Sequence, residues 1–120
     1  MEHRNAVTAL GALAHENRLA VVRLLLEHAP AGLPAGAIGE RLDLAPATLS
    51  FHLKELARTG LVAAQPEGRF IWYRANLATM NALVAYLTEN CCRAQTAAPC
   101  CGPTTPKPRI VARTRLEYPA

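Results

Sequence analysis

Apolar residues recur every three or four positions along most of residues 1–90, which is the spacing of amphipathic helices. The pattern predicts five helices: 6–14, 17–28, 35–42, 45–60 and 77–90. The residues expected to face a core are Val7, Leu10 and Leu13 or Ala14, then Leu19, Val22, Leu25 and Leu26, then Ile38 and Leu42. Few aromatic residues and many Ala and Leu residues also favour a mainly helical chain.

The helix predicted over 45–60 has two dissimilar faces. Leu49, Leu53 and Leu56 form an apolar stripe. The opposite face begins small and polar, becomes basic and carries one aromatic: Ala47, Ser50, Phe51, Lys54 and Arg58. Only Asp43 and Leu44 separate this helix from the one before it, so the two form a helix-turn-helix. Such a helix would read DNA bases near its N-terminus and touch phosphates further along.

After Gly60 the periodicity changes from helical to alternating. Residues 61–65 and 69–74 read as two strands, and residues 66–68, Pro-Glu-Gly, provide the turn of a β-hairpin. A helix-turn-helix followed by a hairpin is a winged helix. The predicted fold is therefore mainly α with one small hairpin, the wing.

The last predicted helix carries a longer apolar seam than a small domain needs. Its members are Leu77, Met80, Val84 and Leu87, with Leu83 beside them. Pairing with a partner helix and packing on the chain's own core both explain this spacing.

The net charge of +4 does not by itself indicate a nucleic-acid partner. Residues 1–90 hold eight basic and eight acidic residues, and the whole excess lies in residues 91–120. The local charge is more informative, because residues 45–75 carry four Lys or Arg against two Glu. The predicted DNA contacts are Ala47, Thr48, Ser50, Phe51, His52, Lys54, Arg58, Arg69 and Tyr73. Thr48 can instead cap the helix, and Phe51 and His52 can instead have a structural role. On the second strand, one of Trp72 and Tyr73 should face the core.

Three segments in order carry a family resemblance: residues 12–19 (ALAHENRL), 49–62 (LSFHLKELARTGLV) and 67–69 (EGR) with Tyr73. With them the chain resembles the ArsR/SmtB family of winged-helix metalloregulatory repressors over about residues 6–90. The resemblance implies a homodimer joined by the first and last helices. It also implies binding to a two-fold-symmetric operator, with release when a metal or metalloid ion binds.

The sequence departs from two common ligand patterns of that family. Residues 34–53 contain no cysteine, although many arsenic-sensing members have a Cys-x-Cys pair near there. Residues 77–90 contain no histidine, so the zinc-sensing pattern of the last helix is also missing.

All four cysteines lie between residues 91 and 101. Such thiolates select soft or borderline ions, including trivalent arsenic or antimony, Cu(I), Zn and Cd. Adjacent helical residues point about 100° apart, so Cys91 and Cys92 share an ion only where the helix ends. Residues 82–92 resemble a subset of the family that binds As(III). By that resemblance the ligands are Cys91, Cys92 and either Cys100 or Cys101, with Cys100 favoured, and the inducer is arsenite, antimonite or a methylated trivalent arsenical.

Other readings of the cysteines stay open. A structural or regulatory zinc or cadmium site is one, although adjacent pairs fit the usual zinc spacing poorly. A thiol–disulfide switch is another. The sequence contains no Cys-x-x-Cys, nucleophile–base pair or phosphate loop, so we expect no enzymatic activity.

The expected organisation is a winged-helix domain over residues 1–90, an inducer-binding segment over 91–101 and a flexible basic tail over 102–120. No run approaches the roughly 18 apolar residues of a membrane helix, so we expect no membrane partner. We expect a cytoplasmic protein, because residues 6–14 fit a signal peptide poorly: the run is rich in Ala, Gly and Thr and continues directly into another helix. A cytosolic chain keeps its thiols reduced, so the cysteines are expected to be ligands or sensors.

Overall fold

The computed structural model describes residues 1–94. It divides the chain into two compact units, Met1–Leu87 and a second unit that begins at Thr88. Five helices and three strands lie within the described residues: α1 (His3–Leu13), α2 (Glu16–Glu27), β1 (Leu33–Pro34), α3 (Ala35–Leu42), α4 (Pro46–Arg58), β2 (Val62–Glu67), β3 (Phe70–Ala75) and α5 (Leu77–Thr88). The fold is a winged helix-turn-helix, as predicted from the periodicity.

The core forms where α2, α3 and α4 meet. Leu25, Ile38, Leu53 and Leu56 are fully or almost fully buried there, together with Leu61 just after α4. Burying each of these side chains contributes about 1.5–3 kcal/mol. The predicted inward stripe of α4 is confirmed, since Leu49, Leu53 and Leu56 are all buried. That burial fixes which face of α4 is left for solvent.

The predicted inward face of α1 is wrong at Val7 and Leu10, whereas Leu13 packs against the core as expected. Ala6, Ala9 and Ala12 are the buried residues, whereas Val7 is 55% exposed and Leu10 is also exposed. The small alanine side chains allow the backbone of α1 to pack closely on α2 and α4. Two large apolar side chains of α1 therefore remain on the surface.

The inward face of α2 also differs by one position. Leu19 is exposed, and Val21 is buried with Val22 and Leu25. The helix starts at Glu16 instead of Asn17, with His15 as its N-cap: the His15 side chain accepts a hydrogen bond from the backbone N–H of Asn17.

The sheet has one strand that the pattern did not predict. β1 pairs with β3, so the antiparallel order is β1-β3-β2 and β2 is an edge strand. Pro66 lies within β2 instead of in the turn, and an edge strand tolerates a residue without an N–H. The turn is consequently at Gly68 and Arg69, between Glu67 and Phe70.

The predicted three-part organisation stays a prediction, because most of residues 91–101 and all of 102–120 lie outside the described residues. No helix in the described part of the chain is both long and apolar enough to span a bilayer.

Candidate nucleic-acid interface and cysteine cluster

A three-residue connection sets the angle between α3 and α4. Asp43 ends α3 in the left-handed conformation, with φ of 55°. The N–H of Leu44 then donates to the carbonyl of Gly39 at 3.0 Å, which closes the turn. Pro46 occupies the first turn of α4, where its missing N–H has no intrahelical partner to lose. These features place α4 as the second helix of the helix-turn-helix.

The outer face of α4 carries most of the predicted DNA contacts. Ala47, Thr48, Ser50, Phe51, Lys54 and Arg58 are all exposed. Phe51 is 56% exposed. The exposed face therefore begins with small polar groups, continues through an aromatic ring and ends with two cations. That order suits base contacts near the N-terminus of the helix and phosphate contacts beyond them.

The two cations of this face differ in their surroundings. Arg58 donates two hydrogen bonds from Nε and a terminal nitrogen to Glu55 Oε1, at 3.3 and 3.1 Å. This surface pair is exposed on the arginine side, so it contributes little to stability. Lys54 takes part in no such pair among the described residues. Its ammonium group can bind a phosphate without first breaking an ion pair with a carboxylate.

His52 departs from the predicted contact set. It is only 5% exposed, and it lies among the buried residues of α4 instead of on the outer face. Arg18 of α2 donates from Nε to His52 Nδ1 at 3.2 Å, and the His15 ring lies 4.6 Å from the His52 ring. Burial lowers the pKa of His52, and the charges of His15 and Arg18 lower it further. His52 therefore joins α2 to α4 as a neutral, hydrogen-bonded ring and does not itself face DNA.

The wing places Arg69 in its two-residue turn, after Gly68 with φ of +65°. Arg69 is exposed, as expected for a contact at the tip. Sequence reasoning did not single out Phe70 and Ile71, which are exposed immediately after it; Phe70 is 63% exposed. At the base of the wing, Arg74 donates to the side-chain oxygen of Gln65 across the two strands.

Tyr73 and Trp72 are both half-buried, so the expectation of one buried and one exposed ring does not hold. Tyr73 packs against the hydrophobic core. It also lines a groove between α3, α4 and β3 that contains Ser50 and Pro46. Tyr73 therefore lies beside the start of α4, whereas Arg69 lies at the far end of the hairpin.

The described cysteines follow α5, which ends at Thr88. Cys91 and Cys92 lie in turns, and Cys92 has φ of 63°. The two Sγ atoms are 3.6 Å apart. They come this close because both residues lie beyond the helix, where adjacent side chains need not point about 100° apart. Both sulfurs are disulfide-bonded. Cys100 and Cys101, predicted as alternative third ligands, lie outside the described residues.

Comparison with known proteins identifies the family. A helix-turn-helix domain family matches residues 13–64. The transcriptional activator HlyU of Vibrio cholerae is 34% identical over 89 residues, which cover 74% of this chain and 80% of HlyU. The chain belongs to the ArsR family of winged-helix transcriptional regulators. As a member of that family it is a transcriptional regulator and not an enzyme.

Two solved structures support the same fold. An ArsR-like transcriptional regulator from Rhodococcus sp. RHA1 has a TM-score of 0.64 and 28% identity, over 72% of this chain and 79% of that chain. A homodimeric winged helix-turn-helix domain from Mycobacterium bovis, described as a possible ArsR-family regulator, has a TM-score of 0.58 and 25% identity, over 80% of this chain and 89% of that one.

The sequence pattern did not predict the contacts that α2 makes with α4. Besides its bond to His52, the Arg18 guanidinium carbon lies 5.5 Å from the centre of the Phe51 ring. Arg18 is 34 residues from His52 in sequence, so no local spacing pointed to this pairing. The inward phase of His52, three residues after Leu49 and four before Leu56, was the signal available.

Proposed function

We propose that this regulator is a homodimeric repressor that binds a two-fold-symmetric operator and leaves it when trivalent arsenic or antimony binds its C-terminal thiolates. The observation that carries the DNA-binding part is the outer face of α4, where Ser50, Phe51 and Lys54 are exposed along one helix. Arg69 at the wing tip extends this surface toward the minor groove or the backbone next to the site.

The exposed apolar residues of α1 and α5 support a dimer. Val7, Leu10, Leu77 and Leu87 are large hydrophobic side chains on the surface of the single chain. The related domain from Mycobacterium bovis is described as homodimeric. A second copy of this chain, seated on α1 and α5, would cover these residues and set the spacing of the two α4 helices.

The direction of regulation is proposed as repression. HlyU carries the name of an activator, so membership of the family leaves both directions open. A reporter gene placed under the bound promoter distinguishes the two. Deleting the regulator raises expression if it is a repressor and lowers expression if it is an activator.

The cysteine geometry supports the proposed inducer. The 3.6 Å separation is that of the disulfide-bonded cysteines; two thiolates that kept it after reduction would be close enough to share one ion at about 2.3 Å, the usual zinc–sulfur distance. Within residues 1–94 no three His, Cys, Asp or Glu side chains gather as a metal site. A third thiolate from Cys100 or Cys101 would complete the set. The ion would cross-link the thiolates next to the end of the proposed dimer helix, and the two DNA-reading helices would change their spacing in response.

A redox-responsive regulator is the second candidate, and a specific observation favours it. Cys91 and Cys92 are disulfide-bonded in the structure, and thiols that form disulfides can report oxidants. A zinc- or cadmium-responsive regulator using the same cysteines is a further alternative. The arsenic proposal requires these thiols to be reduced, as they would be in the cytoplasm where we propose the protein acts.

One titration distinguishes the arsenic-responsive, redox-responsive and zinc- or cadmium-responsive candidates. Reduced protein is bound to a fluorescent duplex that it has selected from a random pool, and fluorescence anisotropy follows the complex. Arsenite and antimonite should release the DNA, whereas zinc, cadmium and peroxide should not. Release by peroxide alone supports the redox candidate, and release by zinc or cadmium alone supports the third. Failure of the protein to select any duplex would contradict the DNA-binding proposal itself.

A further inference from the structure

Arg18 belongs to α2, yet its guanidinium lies against the outer face of α4. Nε donates to His52 Nδ1 at 3.2 Å, and the guanidinium carbon lies 5.5 Å from the Phe51 ring centre. The His52 ring in turn lies 5.8 Å from the Phe51 ring. Arg18 is thus held over the ring of the exposed aromatic side chain that interrupts the basic face of α4.

The charge of Arg18 is not balanced by any carboxylate of the described residues. His52 offers a lone pair and Phe51 offers a ring face, but neither carries negative charge. Arg58 on the same surface is different, because Glu55 balances it. An arginine held in place by neutral groups keeps its full charge for a ligand.

The geometry also leaves donors available on Arg18. The guanidinium has five N–H groups, and the bond to His52 uses the one on Nε. No other hydrogen bond of Arg18 to the described residues occurs, so the four terminal N–H groups remain. This planar fork matches the geometry of a phosphate group.

We propose that Arg18 is a DNA-backbone contact, supplied by α2, whose terminal N–H groups bind a phosphate of the duplex that lies along α4. The contact rests on the proposed DNA-binding function and adds a residue outside the helix-turn-helix and the wing. His52 and Phe51 position the guanidinium before DNA arrives. Less side-chain freedom is therefore lost on binding than for a freely rotating cation such as Lys54.

The test is the salt dependence of DNA affinity. Each phosphate contact contributes about 0.9 to the slope of log affinity against log salt concentration. A dimer carries two copies of Arg18, so Arg18→Gln should reduce that slope by about two and weaken binding to all sequences alike. Arg18→Met, which keeps the apolar stem on Phe51, should give the same reduction. Arg18→Lys should keep most of the slope at lower affinity, because it retains the charge but loses the Nε bond.

Arg23→Gln is the matched control. Arg23 is an exposed cation on the same helix, five residues further along and on another side of it. Its removal changes the net charge equally, and it should leave the slope near that of the unmodified protein. Equal losses in the Arg18 and Arg23 variants would overturn the inference, since they would reflect bulk charge.

Two further outcomes complete the test. An unchanged slope in folded Arg18→Gln and Arg18→Met, with only a lower melting temperature, would show a structural role and overturn the inference. If the unmodified protein binds no duplex at all, the proposed function fails. If it binds and the Arg18 variants have the same salt slope as the unmodified protein, only the role of Arg18 is refuted. The probe throughout is the duplex selected by the unmodified protein, and circular dichroism checks folding of each variant.

Discussion

The imidazole ring of His15 lies 4.6 Å from that of His52, with an angle of 54° between the ring planes. His15 also caps α2, and His52 lies on the inner side of α4. The N-terminus of α2 is therefore joined to α4 by a pair of imidazole rings, with the charged Arg18 beside them. Protonating His52 would place like charges together and remove the acceptor that holds Arg18.

The first prediction concerns stability against pH. Burial, with His15 and Arg18, lowers the pKa of His52 below its ordinary value of 6.5. The unfolded chain therefore binds more protons than the folded chain between that lowered value and about 6.5. The contribution of His52 to the free energy of unfolding is present above about pH 6.5 and is lost as the pH falls below it. His52→Asn, which can still accept a bond from Arg18, should show a weaker pH dependence in urea unfolding. An unchanged pH dependence in this variant would exclude His52 as the source.

The second prediction concerns Gly32, which has φ of +83° next to β1. A Cβ at this position would lie 2.1 Å from the carbonyl oxygen of Tyr73, so the backbone of β3 would have to move. Gly32→Ala should lower the free energy of unfolding by at least about 2 kcal/mol, from clash and backbone strain together. Gly36→Ala is the control, because an added Cβ there meets open space within a helix. It should stabilise the protein by about 0.5–1 kcal/mol, and equal effects of the two substitutions would contradict the packing described for β1.

The third prediction separates base contacts from phosphate contacts on α4. Ser50→Ala should relax sequence preference at one position of each half-site and leave the salt dependence unchanged. Lys54→Ala should weaken binding to selected and unrelated duplexes alike and reduce the salt slope by about two per dimer. Competition binding at several salt concentrations measures both effects. If Ser50→Ala reduced the salt slope and Lys54→Ala changed the sequence preference, α4 would lie in the groove with a different orientation.

The fourth prediction concerns the proposed dimer. Val7→Glu places a charge on the exposed apolar surface of α1, and a charge without a partner in an interface costs about 3 kcal/mol or more. The dimer dissociation constant should rise at least about 100-fold, as measured by analytical ultracentrifugation. Thr8→Glu adds the same charge to the neighbouring exposed side of the helix and should leave the dimer intact. A Val7→Glu dimer of unchanged affinity would place the interface elsewhere.

The sequence predicted those elements whose patterns are local. The bounds of α3 and the buried stripe of α4 followed from helical spacing and from the tight connection at Asp43. The hairpin followed from alternation, although its turn shifted because Pro66 is accommodated on an edge strand. In these cases the information needed lay within about ten residues.

The errors arose where the environment of a residue depends on distant parts of the chain. Val7 and Leu10 have the periodicity of core residues, and spacing alone does not distinguish a core from an interface between copies. β1 exists only because β3 lies beside it, and two residues carry no periodic signal. For His52 the sequence left a DNA contact and a structural role open, because its partner Arg18 lies on another helix, and the structure shows the structural role. The cysteine spacing likewise predicted a site but not the chemical state of its sulfurs.

The central claim is that the cysteines beyond α5 control DNA binding by the winged helix, and arsenite titration of cysteine variants tests it most directly. Reduced protein, Cys91→Ser and Cys92→Ser are each bound to the selected duplex, and anisotropy follows the complex as arsenite is added. We expect all three to bind the duplex with similar affinity and arsenite to release only the unmodified protein. Release of the duplex from both serine variants at the same arsenite concentration as from the unmodified protein would contradict it.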